Sequence, residues 1–166
     1  MPARPTRFLI NDRDGAKADF EESITLDPKL IQSRVKLASV HMELGNITDT
    51  FGDFEAALAE DPTDPDIYYH RGQVYFIAGE LDKALDDYTK SSELDPAFIF
   101  SHIQKAVTLY RQGKTAPSMA EFRRVLKQFP DRSEPYNYYG ELLLAENRFG
   151  DALEKFDKAV EIEAKK

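Results

Sequence analysis

His41, His70 and His102 are the side chains best suited by type to hold a metal or move a proton, and their placement supports neither role. A metal site needs several ligands on one face, most simply two histidines one helical turn apart, and no such pair exists here. Each histidine is therefore expected to be structural or on the surface. Carboxylates are abundant, 30 in all, but pairs such as Asp86-Asp87 are interleaved with lysines and read as solvated faces. None is set apart as a general acid or base. There is no Ser/His/Asp order, no glycine-rich phosphate loop and no nucleophile elbow. The chain contains no cysteine, which excludes disulfide scaffolds and thiolate metal sites. Asn46-Ile47-Thr48 matches a glycosylation acceptor and is read as a chance match in an inter-helix turn. Lys105 and Arg71 share a position that is often apolar, and are read as snorkelling stems. The expectation is a protein with no catalytic residues, no metal and no cofactor.

What remains is binding, and charge narrows the partner. The 166 residues carry a formal charge of −8, which repels phosphate backbones and anionic lipid heads. Nucleic acid and direct membrane insertion are expected to be absent, and basic peptides are the favoured class of ligand. No apolar run approaches the roughly 20 residues that span a bilayer. The opening residues, 1–7, are short, basic and proline-containing, and read as a frayed or appended end rather than a targeting signal.

The elements that would position a binding face follow from an internal period. Pro28, Pro62, Pro96 and Pro130 are spaced by 34 residues, three of them after Asp27, Asp61 and Asp95 and the last after Phe129. Gly45, Gly79 and Gly113 keep the same step, and Asn147, the other residue that tolerates a left-handed cap, continues it. A small residue recurs at Ala38, Gly72, Ala106 and Gly140, and an aromatic at Phe20, Phe54, Tyr88, Phe122 and Phe156. Small residues let paired helices approach closely, aromatics fill the wedge between hairpins, glycine caps one helix and proline ends the next.

These series resemble the tetratricopeptide repeat. The resemblance implies an all-α fold, a solenoid that winds antiparallel helix pairs into a right-handed superhelix. First helices are expected near 30–44, 65–78, 99–112 and 133–146, and second helices near 14–26, 47–60, 81–94, 115–128 and 149–163. Residues 1–166 form one repeat array: a partial repeat at 1–28, full repeats at 29–62, 63–96 and 97–130, and a last repeat at 131–166. The chain reads as a piece of a longer solenoid.

In such a fold the first helices line the inner groove. With the small residue at position 8, positions 2, 5, 9, 12 and 13 share one face. The second repeat offers Gln32, Val35, Ser39, Met42 and Glu43 there. The third offers Asp66, Tyr69, Gln73, Phe76 and Ile77, the fourth Phe100, Ile103, Val107, Tyr110 and Arg111. The fifth offers Glu134, Asn137, Glu141, Leu144 and Ala145. Some of these side chains serve core packing, the commonest use of periodic apolar positions. As a whole, the strip Tyr69, Phe76, Ile103, Val107 and Tyr110, flanked by Asp66, Glu134 and Glu141, suits a basic amphipathic helix. The candidate groove is thus Asp66, Tyr69, Gln73, Phe76, Ile77, Phe100, Ile103, Val107, Tyr110, Glu134 and Glu141. Proteins of this repeat class that grip acidic chaperone tails do so with Lys, Asn and Arg at positions 2, 5, 6 and 9. Here position 5 reads Val35, Tyr69, Ile103, Asn137 and position 2 reads Gln32, Asp66, Phe100, Glu134, so chaperone tails are not expected ligands.

The stretch from Tyr68 to Ile77, Glu93 to Gln104, Lys127-Gln-Phe-Pro130, Glu134 to Leu142 and Phe149 to Phe156 carry a more specific likeness. They resemble the seventy-kilodalton preprotein receptors of the fungal mitochondrial outer-membrane translocase, in their C-terminal repeat domain. That resemblance implies a receptor segment facing the cytosol at the mitochondrial outer membrane. Its ligands would be preproteins or their targeting peptides, with other translocase subunits as further partners. The anchor and chaperone clamp of that family lie outside these residues, so the segment itself is expected to be soluble. An alternative from another class is a general interaction scaffold or co-chaperone-type adaptor, self-associating as a homo-oligomer. A regulatory region of a larger enzyme is a third, and nothing in the sequence argues for it.

Overall fold

The computed structural model describes Ala38 and residues 41–166, with the side chain of Ile47 set aside. The expected partial repeat at 1–28, the helix at 14–26, most of the helix at 30–44, and Gln32, Val35 and Ser39 lie outside the described residues. Regular structure among those described is wholly helical: α1 (Ile47–Glu60), α2 (Pro65–Ile77), α3 (Leu81–Leu94), α4 (Ile99–Arg111), α5 (Thr115–Gln128), α6 (Ser133–Ala145) and α7 (Phe149–Ala164). Each coincides with an expected helix to within one residue.

The helix ends explain that agreement. Gly45, Gly79 and Gly113 have φ of 81°, 83° and 84°, and Asn147 reaches 61°, the left-handed region that Cβ-bearing residues seldom enter. Each closes the same double cap. The Gly79 amide donates to the Phe76 carbonyl at 3.1 Å and that of Glu80 to Tyr75 at 2.9 Å. Gly113 and Lys114 bond Tyr110 and Leu109 at 2.9 Å each, and Asn147 and Arg148 bond Leu144 and Leu143 at 3.0 and 2.8 Å. Two orphan carbonyls per helix are satisfied in this way, so the backbone must turn back on itself at that point.

A second periodic device closes the other end of each hairpin. Six residues after each proline a side chain reaches back to its carbonyl: the Tyr68 hydroxyl to Pro62 at 2.8 Å, His102 Nε2 to Pro96 at 2.8 Å, and the Tyr136 hydroxyl to Pro130 at 3.3 Å. These donors occupy one register position, 34 residues apart, and His102 is the member that uses imidazole. Its Nδ1 accepts from Arg124 Nη2 at 3.0 Å, so both ring nitrogens are committed. A structural role accounts for this histidine.

The chain divides into two compact units, up to Val74 and from Tyr75 onward. In the first, Phe54, Ala57, Ile67 and Val74 pack with Ala38 in a core edged by Met42, Phe51 and Leu58. The Thr50 hydroxyl donates to the Ala38 carbonyl at 3.3 Å. In the second, Ile99, Ile103, Ala106, Phe122, Val125, Tyr139, Leu142, Leu143 and Ala152 form the core. Helix α3 packs on α4, α4 on α5, α5 on α6 and α6 on α7. Phe122 lies flat on Tyr139, ring centroids 5.2 Å apart and planes 3° off parallel. Ser118 on α5 donates to the Ala106 carbonyl on α4 at 2.6 Å, and a Cβ placed on Gly140 would stand 2.7 Å from the Phe156 ring. The small-residue series thus marks where one helix of a pair meets the other's backbone.

Candidate peptide-binding surface

The expected groove residues fall on α2, α4 and α6, and the two units are considered separately. In the first unit, Asp66 is exposed, while Tyr69 and Gln73 are half-buried and joined to each other, Gln73 Nε2 donating to the Tyr69 hydroxyl at 3.2 Å. In the second, Ile77 is 68% exposed. Phe76 is half-buried under the Arg111 guanidinium, 5.1 Å from the ring centroid, a cation–π arrangement that satisfies both groups. Phe100 packs partly on the core and meets Phe98 edge-on at 5.9 Å.

Ile103 corrects the sequence reading. It was expected on the groove surface, but it is wholly buried among the core side chains of the second unit. Its side chain is closed off by the packing of its neighbours rather than open at the surface.

Val107, Tyr110 and Glu141 are brought together. With Tyr138, Leu142 and Ala145 they line a hollow of about 230 Å³ between α4 and α6, floored by Phe122. The cavity is apolar at its base and acidic at its rim. Tyr110 donates its hydroxyl to Glu146 Oε1 at 2.7 Å, fixing the ring at the edge of the hollow, and that bond to a carboxylate raises the phenol's pKa above its ordinary value. Tyr138 and Leu142 were not among the expected groove residues. They stand at positions 6 and 10, on the side of α6 that faces the preceding repeat, and a groove built from both neighbours of each gap would have included them.

Glu134 is not part of this hollow. Burial alone would raise its carboxyl, but Arg132, bonded through Nε and Nη2 at 3.2 Å each, holds it below the usual carboxylate range. Its charge is already answered within the chain. Among the described residues no group of three or more His, Cys, Asp or Glu is arranged to hold a metal, and no helix is long and apolar enough to cross a membrane.

Paired antiparallel helices with an apolar hollow between α4 and α6 are the architecture of helical-repeat interaction modules. Family models described as tetratricopeptide repeat match residues 65–98 and 103–165, and the chain belongs to that family. It is similar to the mitochondrial import receptor subunit TOM70 of Saccharomyces cerevisiae, 36% identical over 159 residues, covering 96% of this chain and 26% of that protein. The human protein of the same name is 30% identical over 167 residues, covering 94% of this chain and 28% of its own length. The crystal structure of yeast Tom70 superposes with a TM-score of 0.88 at 36% identity, over 96% of this chain and 33% of that one. The chain therefore spans about a quarter of the length of the curated relatives it matches. Receptor- and adaptor-type relatives fit a binding role rather than a catalytic one.

Proposed function

We propose that this chain is a receptor module that holds basic amphipathic targeting segments of mitochondrial preproteins, presequences or presequence-like internal stretches, on the cytosolic face of the outer membrane. The observation that carries the reading is the hollow between α4 and α6. An amphipathic helix would seat one bulky apolar side chain against Val107, Tyr110, Tyr138 and Leu142, and a lysine or arginine on its polar edge would meet Glu141. Charge adds a longer-range pull, since a chain of net charge −8 attracts basic peptides and speeds their encounter. The likeness to import receptor subunits supports the same ligand class. The second unit, from Tyr75 onward, would carry this surface, with Phe76 and Ile77 extending its apolar strip. Acidic chaperone tails are not its ligands, because positions 2 and 5 offer them no cationic clamp.

The test is a titration of the purified chain with a labelled presequence peptide beside a charge-matched scramble without amphipathic order. Micromolar binding of the presequence alone is expected. Val107→Asp and Glu141→Lys should each weaken it by on the order of tenfold, as loss of a buried apolar contact or a facing charge does. Equal binding of both peptides, or indifference to these substitutions, would remove the hollow as the recognition site.

A further inference from the structure

Arg124, Arg132 and Arg148 each answer a carboxylate of the chain, Glu121, Glu134 and Asp151 in turn. Arg111 does not. It stands exposed at the C-terminal end of α4, and its guanidinium lies over the Phe76 ring, 5.1 Å from the centroid. Stacking engages the face of a guanidinium and holds its plane, but leaves its N–H edges and its whole positive charge available. Among the described residues no carboxylate pairs with it.

The opposite case stands on α6. Glu146 is engaged by the Tyr110 hydroxyl, but Glu141 is exposed on the rim of the hollow, and among the described residues no cation pairs with it. Arg111 directly follows Tyr110 and lies one turn beyond Val107, while Glu141 directly precedes Leu142. The two open charges therefore border one apolar hollow, from its α4 and its α6 wall. Axes of packed helices lie about 8–10 Å apart, so two extended side chains place these charges on the order of 15 Å apart, about three turns of a bound helix. At that range the local sign of charge outweighs the pull of the whole chain, and a like charge at contact rejects a ligand that long-range attraction brings in.

We propose that Arg111 is a specificity-determining residue of the hollow, which takes segments whose lysines or arginines lie on one side of the apolar anchor, toward Glu141, and which carry no cation on the side that meets Arg111. A segment that is basic on both sides of its anchor meets a like charge whichever way round it lies. The inference rests on the α4–α6 hollow being the peptide site, and it adds which basic amphipathic segments enter.

The probes are two synthetic helices of identical composition, capped at both ends, with a central pair of leucines one turn apart in an alanine and glutamine background. In one, every lysine follows the leucines; in the other, the same lysines are divided equally before and after them. Their net charge is the same, so the long-range attraction to the chain is the same. Titrated into the full chain at low salt, the one-sided helix should bind about threefold or more tighter than the two-sided one. Arg111→Gln should bring the two affinities together, and Arg111→Glu should invert their order. Circular dichroism of each variant checks that the helices persist. Equal binding of the two isomers to the unaltered chain, tighter binding of the two-sided one, or an order that Arg111→Glu does not change overturns the proposal while leaving the hollow as the site. If neither isomer binds saturably, or Val107→Asp weakens neither, the hollow itself is lost as the peptide site and the role of Arg111 falls with it.

Discussion

Helices α5 and α7 carry the same apolar register one repeat apart, yet solvent meets them differently. Phe122 on α5 is fully buried with Met119 and Leu126 packed beside it, whereas Leu153 and Val160 on α7 stand more than half exposed. The pattern around each helix axis is nearly the same, so periodicity alone does not distinguish a covered face from an open one. What differs is the element laid on top. The comparison separates the part of a repeat that is bought by its own sequence from the part that depends on a neighbour.

The strongest way to break that comparison is to remove its two aromatics. Phe122→Ala should destabilise the chain by about 3–5 kcal/mol, the cost of deleting a ring from a packed core, while Phe156→Ala, half-buried, should cost about half as much. Urea unfolding of both variants measures this, and equal losses would mean that α7 is as well covered as α5. Gly140→Ala should cost about 1–3 kcal/mol, because the added methyl would stand 2.7 Å from the Phe156 ring. Combined with Phe156→Leu its cost should fall well below the sum of the two single changes. Strict additivity would show that the close approach is not the cause.

The next contrast lies in the proline-bonding series. His102→Ala gives up bonds to Pro96 and Arg124 in a buried setting and should cost about 1–3 kcal/mol, whereas Tyr136→Phe, the same register in an exposed setting, should stay within about 0.5 kcal/mol. Thermal melts of the two distinguish a buried cap from a surface one.

The smallest expected effect is electrostatic. Burial alone would raise the Glu121 carboxyl on α5, but Arg124, bonded at 3.1 Å through Nε with a second bond through Nη2, brings it below its ordinary value, assisted by Lys105. A carboxyl depressed on folding adds stability that is fully present at neutral pH, above its unfolded pKa, and that is lost as pH falls through its folded one. Arg124→Met should therefore flatten the acid side of the stability profile slightly. A profile unchanged in shape would assign acid sensitivity to other carboxylates.

Much of the architecture was legible because its causes are local. A glycine or asparagine every 34 residues sets each left-handed cap, and the Asp-Pro steps stop the second helices, so all seven helix ranges among the described residues could be placed to within one residue. The recurring donors Tyr68, His102 and Tyr136 were just as periodic and went unread, since a histidine between two tyrosines does not look like one series until the shared proline carbonyl is seen. The candidate surface was legible in part. Val107, Tyr110 and Glu141 do meet at one hollow, but Tyr138 and Leu142 complete it and Ile103 lies beneath it.

By itself the sequence determined the repeat, the helices, their caps and the angular position of every apolar side chain, because each depends on residues within one or two turns. Only the tertiary structure decided which apolar positions remain open. Ile103 and Val107 are four residues apart on the same side of α4, and one is closed by the packing of its neighbours while the other borders a gap between α4 and α6. Exposure is set by what stands opposite a side chain, a distance between helices rather than a property of either one.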